Sequence, residues 1–178
     1  MNLPNKLTLF RVILIPFFVI VILSNCFGDY SKWVALFIFI GASFTDMLDG
    51  NIARKYHLVT NFGKFMDPLA DKLLVSSAMI CLVELEILPA WVVIIIIARE
   101  FAISGFRLVA SDNGVVIAAG KLGKWKTVFQ MIMVCLCIAD ISQIAVLTVI
   151  VIYVAVILTI VSLVDYVVKN IGVMKDFK

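Results

Sequence analysis

Residues 46–71 of the chain read DMLDGNIARKYHLVTNFGKFMDPLAD, and this stretch brings four aspartates between two apolar segments. Asp46 and Asp49 are three residues apart, whereas Asp67 and Asp71 are four residues apart. On a helix, either spacing places two side chains on one face. Two helices would then each present two carboxylates at a similar depth. Because clustered carboxylates repel one another and are costly within a membrane helix, we expect divalent cations to compensate them.

The composition indicates a membrane protein. Of the 178 residues, 63% are hydrophobic and 15% are charged, against about 25% charged in soluble globular proteins. Six apolar segments are each near the length that a bilayer requires, and they lie at about 11–27, 33–54, 67–86, 89–108, 125–141 and 144–167. We therefore predict an all-α integral membrane protein with six transmembrane helices, forming a single domain over residues 1–178.

The first eleven residues, MNLPNKLTLFR, are amphipathic and predict a short interfacial helix before the first span. Asn5, Thr8 and Arg11 recur every third residue and lie loosely on one polar face. This face is either an anchor on the lipid headgroups or a polar strap near the acidic stretch. The sequence does not decide between the two, nor whether these residues contact a nucleotide.

The distribution of basic residues predicts the orientation. Lysine and arginine gather before the first span, in the second and fourth connections and in the C-terminal tail, whereas the opposite connections carry the acidic residues Glu84, Glu86 and Asp140. By the positive-inside rule, both termini are cytoplasmic. The four aspartates then open to the cytoplasmic leaflet of a multi-pass membrane protein.

The residues between the aspartates suggest which ligand the cations would hold. Gly50, Ala53 and Gly63 leave space beside the backbone, although small residues also serve close helix packing in membranes. The planar guanidinium of Arg54 suits phosphate, although a lone arginine at a helix end also extends to the interface. Together with the cations, these residues favour a diphosphate undergoing phosphoryl transfer.

The pattern Asp46-x2-Asp49-Gly50-x2-Ala53-Arg54-x8-Gly63-x3-Asp67-x3-Asp71 resembles the signature of the CDP-alcohol phosphotransferases. The resemblance implies a six-helix membrane enzyme, usually a homodimer, that displaces CMP from a CDP-linked lipid. It implies that Asp46, Asp49, Asp67 and Asp71 hold two Mg²⁺ or Mn²⁺ ions, with Asp71 also the general base for the acceptor hydroxyl. It further implies that Gly50, Ala53, Arg54 and Gly63 line the cytidine-diphosphate pocket.

The acceptor must be inferred from the fourth and fifth segments. Glu100, Ser104 and Arg107 share one helical face. The adjacent Arg99 and Glu100 are not expected to face each other, so each needs its own partner. The basic residues Lys121, Lys124 and Lys126 follow in the run GKLGKWKT. With Arg107, they predict a cationic lobe beside the metal site that would bind a phosphate-bearing acceptor such as glycerol 3-phosphate. Ordinary positive-inside charge is the alternative explanation for the lysines.

The runs PNKLTLFR, AREFAISGFRL and GKLGKWKT are similar to those of bacterial phosphatidylglycerophosphate synthases. This similarity implies CDP-diacylglycerol and sn-glycerol 3-phosphate as substrates, with no nucleic-acid partner. Inositol phosphate, serine or phosphatidylglycerol remain alternative acceptors. A membrane prenyltransferase would normally have more spans. A divalent-cation transporter would need acidic residues along a path through the bilayer, and it would leave Gly50, Ala53, Arg54 and Gly63 unexplained.

Overall fold

The computed structural model describes residues 3–55, 61–112, 117 and 120–175, with the side chains of residues 8–45, 69–111, 117 and 120–170. In these ranges the chain is helical and contains no strand. The α-helices are α1 (Leu3–Ser24), α2 (Ser31–Lys55), α3 (Asn61–Glu84), α4 (Ala90–Asp112), α5 (Lys121–Ala139) and α6 (Ala145–Lys175). Short 3₁₀ turns at Gly28–Tyr30 and Ser142–Ile144 precede α2 and α6. Each of the six predicted apolar segments therefore falls on a helix.

The predicted interfacial helix is not a separate element, and this part of the prediction is wrong. Helix α1 runs without a break from Leu3 to Ser24 and includes Pro16. The amphipathic residues therefore form the first turns of a longer helix. No glycine or proline interrupts the chain between Lys6 and Arg11, so nothing in the local sequence ends the helix at the place where its composition changes.

Three helices end at a residue in the left-handed backbone region. Asn25, Glu86 and Asp140 have φ angles of 49°, 59° and 43° after α1, α3 and α5, respectively. The amide of Asp140 donates to the Leu136 carbonyl, and the amide of Glu86 donates to the Val83 carbonyl. These bonds satisfy carbonyls that the helix ends would otherwise leave unpaired.

The contacts divide the chain into two compact units. The first unit contains Met1–Leu88 and Val134–Ile141, and the second contains Pro89–Met133 and Ser142–Lys178. In the first unit, α1 packs against α2 and α3, and the rings of Phe18 and Phe39 lie 6.0 Å apart. In the second, α4 packs against α6, and the rings of Trp91 and Tyr153 lie 6.5 Å apart. The single domain expected over residues 1–178 stays a prediction.

The burial pattern at the start of α1 differs from that of a helix in a water-soluble protein. On α1, Thr8 and Arg11 are buried, whereas Leu9, Phe10 and Phe17 are about half exposed. Hydroxyls donate to carbonyls of the preceding turn, as Thr159 Oγ1 does to Ala155 at 2.7 Å. At this part of α1, polar side chains are buried while large apolar ones are exposed, which is the arrangement that a lipid environment favours.

Two helices of the described chain are long and apolar enough to cross a membrane. They are Lys121–Ala139 and Ser142–Asn170, with mean hydropathies of 1.4 and 3.1. In the second helix, only 28% of the apolar 18-residue stretch is buried. The core helix of a soluble protein would be mostly buried. The exposed apolar surface of α6 therefore needs lipid or another protein against it.

Candidate active site

The predicted metal and nucleotide residues all lie in the first unit. Asp46, Asp49, Gly50, Ala53 and Arg54 occupy the last third of α2, and Gly63, Asp67 and Asp71 occupy the first half of α3. Helices α2 and α3 contact each other. The backbone therefore places the two aspartate pairs on neighbouring helices, on either side of the connection that follows Lys55.

Of these residues, only Asp71 has a described side chain, and it is half-buried and engaged in an interaction. The other seven side chains lie outside the described set. Among described side chains, no group of three or more histidines, cysteines or acids could hold a metal ion. Since three of the four aspartates fall outside that set, metal binding stays a prediction. Carboxylate oxygens are nevertheless suitable ligands for Mg²⁺ or Mn²⁺.

The second unit contains a buried group of charges that the sequence only partly revealed. Oε1 of Glu100 accepts hydrogen bonds from Nη1 of Arg99, at 3.3 Å, and from Nζ of Lys126. Nη2 of Arg99 also donates to Oγ of Ser162 at 3.1 Å. These four residues, which we call the ion cluster, join α4, α5 and α6. They connect the three helices, because Lys126 and Ser162 bond to residues of α4 from other helices.

The expectation that Arg99 and Glu100 do not face each other is wrong, although each also has a partner of its own, Ser162 for Arg99 and Lys126 for Glu100. Their side chains form an ion pair, because both are long and flexible enough for their ends to meet although the residues are adjacent. The partner of Glu100 on α5 is 26 residues away, and no local pattern could have identified it. The sequence does not identify a partner for Asp165. In the structure, Oδ1 of Asp165 lies 2.7 Å from Nζ of Lys169, one helical turn later.

The predicted acceptor-binding cations differ in their surroundings. Lys126 is fully buried within the ion cluster, whereas Lys121 and Lys124 are exposed at the start of α5. Arg107 is half-buried, and its guanidinium lies over the Tyr166 ring at 5.4 Å from the centroid. Nε of Arg99, Nε of Arg107 and the Tyr166 hydroxyl are buried without a hydrogen-bond partner. Sequence reasoning missed Arg99 and Tyr166 as members of this polar set.

Among the described side chains, two cations share one carboxylate. Arg99 and Lys126 both pair with Glu100, and the guanidinium of Arg107 lies over the Tyr166 ring. The buried Nε groups of Arg99 and Arg107 have no hydrogen-bond acceptor. They are therefore donors from which an anion such as phosphate would accept a hydrogen bond.

Comparison with known proteins identifies the family. A sequence model described as CDP-alcohol phosphatidyltransferase matches residues 1–161 of the chain. The chain belongs to the CDP-alcohol phosphatidyltransferase family. A Bacillus subtilis (strain 168) protein named CDP-diacylglycerol–glycerol-3-phosphate 3-phosphatidyltransferase is 55% identical over 143 residues, or 75% of this chain and 74% of the relative. Membership makes the chain an enzyme of the transferase class and agrees with the resemblance inferred from the aspartate pattern.

Two further relatives are similar over most of their length. A Rickettsia typhi protein with the same name as the Bacillus relative is 42% identical over 130 residues, covering 73% of this chain and 72% of the relative. A Mycobacterium tuberculosis protein named probable phosphatidylglycerophosphate synthase is 39% identical over 171 residues, covering 94% and 81%. The similarity to this family thus extends well beyond the aspartate stretch, into the segments that carry the basic residues.

The ion cluster leads to a prediction about stability. Replacing Glu100 with alanine removes the carboxylate that faces the buried Lys126, and breaking a buried ion pair costs about 3–5 kcal/mol. We expect a large fall in the thermal midpoint of the purified protein in detergent. Asp165→Ala is the control, because its partner Lys169 is 67% exposed and such surface pairs contribute about 0.3–0.5 kcal/mol. Equal midpoints for the two variants would contradict a stabilising role for the ion cluster.

Proposed function

We propose that this enzyme transfers the phosphatidyl group of CDP-diacylglycerol to sn-glycerol 3-phosphate, giving phosphatidylglycerophosphate and CMP. The observation that carries the proposal is the 55% identity, over 75% of the chain, to a relative named for this reaction. The unsatisfied Nε groups of Arg99 and Arg107, in the same unit as Lys126, support an acceptor that itself carries phosphate. The same chemistry supports glycerol 3-phosphate over serine, whose carboxylate and amine call for a different charge pattern.

Asp46, Asp49, Asp67 and Asp71 are proposed to hold two divalent cations, Mg²⁺ or Mn²⁺. When bound, such ions neutralise the negative charge of a diphosphate and of the transition state. Gly50, Ala53 and Gly63 leave room for the cytidine diphosphate, and Arg54 binds one of its phosphate oxygens. The location of these residues on two contacting helices of one unit supports this assignment.

Asp71 is proposed to act as the general base. Its carboxylate takes the proton from the attacking hydroxyl of glycerol 3-phosphate as that oxygen bonds to the phosphorus of the phosphatidyl group. The bond between this phosphorus and the CMP oxygen breaks at the same centre, and CMP leaves with the bonding electrons. The half-buried environment of Asp71 is compatible with a carboxylate that solvent reaches only in part.

Arg107 and Lys126 are proposed to bind the phosphate of the acceptor, with Lys121 and Lys124 contributing positive charge nearby. Arg107 has a buried Nε without a hydrogen-bond partner, and its guanidinium is oriented by the Tyr166 ring. A planar guanidinium held in this way loses little freedom when it binds a phosphate. Lys126 already pairs with Glu100, so its contribution to the acceptor is electrostatic unless that pair opens.

The setting proposed for this chemistry is the bacterial cytoplasmic membrane. All six helices cross the bilayer, both termini are cytoplasmic and the aspartates face the cytoplasm, where glycerol 3-phosphate is soluble. The enzyme is further proposed to form a homodimer. The inward-facing polar groups of α1 and the exposed apolar surface of α6 support the membrane setting, and the distribution of lysine and arginine supports the orientation.

The deciding experiment is a CMP-release assay with purified protein, CDP-diacylglycerol and Mg²⁺ in detergent. Glycerol 3-phosphate, inositol 1-phosphate, serine and phosphatidylglycerol are supplied in separate reactions. We expect CMP only with glycerol 3-phosphate. Release with another acceptor alone would retain the family chemistry but overturn the proposed acceptor. Absence of release from folded protein with every acceptor would overturn the proposal.

Arg107 gives a test of the acceptor site. Arg107→Gln removes a charged donor, and a charge-assisted hydrogen bond contributes about 1.5–3 kcal/mol. We expect the half-saturating concentration of glycerol 3-phosphate to rise about tenfold or more, with a small change in the value for CDP-diacylglycerol. Lys169→Gln removes an exposed cation of the same unit and serves as the control. If the half-saturating concentration of glycerol 3-phosphate were unchanged in Arg107→Gln, Arg107 would be excluded from the acceptor site.

A further inference from the structure

Arg11 is a fully buried cation in the first unit, with none of its surface exposed. Its Nε donates to the main-chain carbonyl of Ala42 on α2 at 3.1 Å. Thr8, one turn earlier on α1, is also buried, and the intervening Leu9 and Phe10 are exposed. Thr8 and Arg11 are therefore enclosed by the protein rather than exposed to lipid headgroups, and Arg11 contacts α2. A buried arginine requires negative charge nearby, because its desolvation is costly.

The carbonyl that Arg11 contacts is one helical turn before the acidic motif. In an α-helix, the carbonyl of residue i accepts the amide hydrogen of residue i+4, so the Ala42 carbonyl is the acceptor for Asp46. The hydroxyl of Thr45 donates to the same carbonyl at 2.7 Å. Arg11 is thus held at the backbone turn where the aspartate pattern begins. Arg11 also makes a further interaction besides this bond, as expected for a buried charge.

We propose that Arg11 is the resident counter-charge of the acidic motif, a positioning residue that offsets aspartate charge in the absence of metal. Its fixed positive charge reduces repulsion among the carboxylates and at the same time opposes the binding of divalent cations. The inference rests on the proposed function for the identity of those cations. It deepens that proposal by assigning a role to α1. Of the two explanations for the polar face of α1, it favours a polar strap near the aspartates over an anchor on the lipid headgroups.

Direct binding of Mn²⁺ to purified, substrate-free protein tests the charge effect, with free Mn²⁺ measured by electron paramagnetic resonance. We expect Arg11→Gln to bind Mn²⁺ about tenfold more tightly than the wild type, and Arg11→Lys to resemble the wild type. Lys32→Gln is the matched control, since it removes one positive charge from the other end of α2, where Nζ contacts the Asp140 carbonyl. A purely structural role predicts weaker binding in Arg11→Gln, and that result or unchanged affinity would overturn the proposal.

A double-mutant cycle in the presence of EDTA provides a readout that needs neither metal nor activity. The thermal midpoints of Arg11→Gln, Asp46→Asn and the double variant are compared with that of the wild type. We expect Asp46→Asn to be more stabilising, or less destabilising, in the Arg11→Gln background than in the wild type. Additive effects would overturn the inference. If Arg11→Gln alone does not fold, the proposal requires Asp46→Asn to restore folded protein, and failure to do so would equally overturn it.

The two proposals fail in different ways. A folded wild-type protein that releases no CMP would overturn the proposed function, whereas the coupling between Arg11 and Asp46 would still be decided by the cycle. Conversely, consider a wild type that releases CMP in a Mg²⁺-dependent manner while the effects in the double-mutant cycle are additive. The proposed function would then stand, and Arg11 would be excluded as the counter-charge of the acidic motif.

Discussion

Asp71→Asn is expected to reduce the turnover of CDP-diacylglycerol by about a thousandfold, the largest effect of any single substitution considered. The amide keeps the size of the carboxylate but cannot accept the proton of the attacking hydroxyl, and it is a weaker metal ligand. Binding of CDP-diacylglycerol should change much less, because the glycines and Arg54 remain. Single-turnover CMP release and binding of CDP-diacylglycerol, measured on the same preparation, separate the two effects.

Asp71→Glu serves as the conservative comparison, since it retains a carboxylate one methylene further from the backbone. Partial activity in Asp71→Glu alongside none in Asp71→Asn would agree with proton transfer at this position. Near-normal turnover of Asp71→Asn would show that another group acts as the base. Thermal midpoints of the three proteins establish that the comparison is made between folded enzymes.

Removal of divalent cations is expected to abolish CMP release, and readdition of Mg²⁺ or Mn²⁺ should restore it. Metal ions contribute several kcal/mol to the stabilisation of phosphoryl transfer, so the expected loss on chelation is about a thousandfold or more. The measurement is CMP release after dialysis against EDTA, followed by titration with each ion. Sustained activity in metal-depleted protein would contradict the assignment of the aspartates as metal ligands.

Asp67→Asn tests whether this single aspartate is a metal ligand. Since Asp67 is proposed to ligate metal without accepting the proton, its substitution should raise the Mg²⁺ concentration needed for half-maximal activity. Saturating Mg²⁺ should recover part of the lost rate, which is not expected for Asp71→Asn. The same metal dependence in Asp67→Asn and the wild type would place Asp67 outside the metal site.

The sequence predicted the helices well because long apolar segments can satisfy their backbone in lipid in only one way. The predictions were wrong in two places: where a helix continues without a break, and where two long side chains are able to meet. The amphipathic start of α1 reads as a separate surface helix, but nothing breaks the backbone before the apolar part. Arg99 and Glu100 are adjacent, yet their flexible side chains meet.

The placement of the aspartates on two contacting helices was predictable from their spacing, because they repeat at helical intervals on either side of one connection. That they form a metal site stays a prediction. The ion cluster was not predictable, since Lys126 and Ser162 reach α4 from other helices. Contacts across such sequence separations depend on how helices pack. Burial of Arg11 was equally inaccessible, because its polar face suits either a headgroup region or a protein interior.

The ion pair within α4 also bears on the biogenesis of the protein. A helix that enters a bilayer with an isolated charge pays about 2.5–3.5 kcal/mol on translocon-insertion scales. In the proposed membrane arrangement, α4 crosses the bilayer with Arg99 and Glu100 as an internal pair, so opposite charges would enter the translocon in the same segment. Lys126 emerges from the ribosome later, when the carboxylate that it pairs with is already in place. Synthesis from the N-terminus therefore delivers the partner before the residue that depends on it.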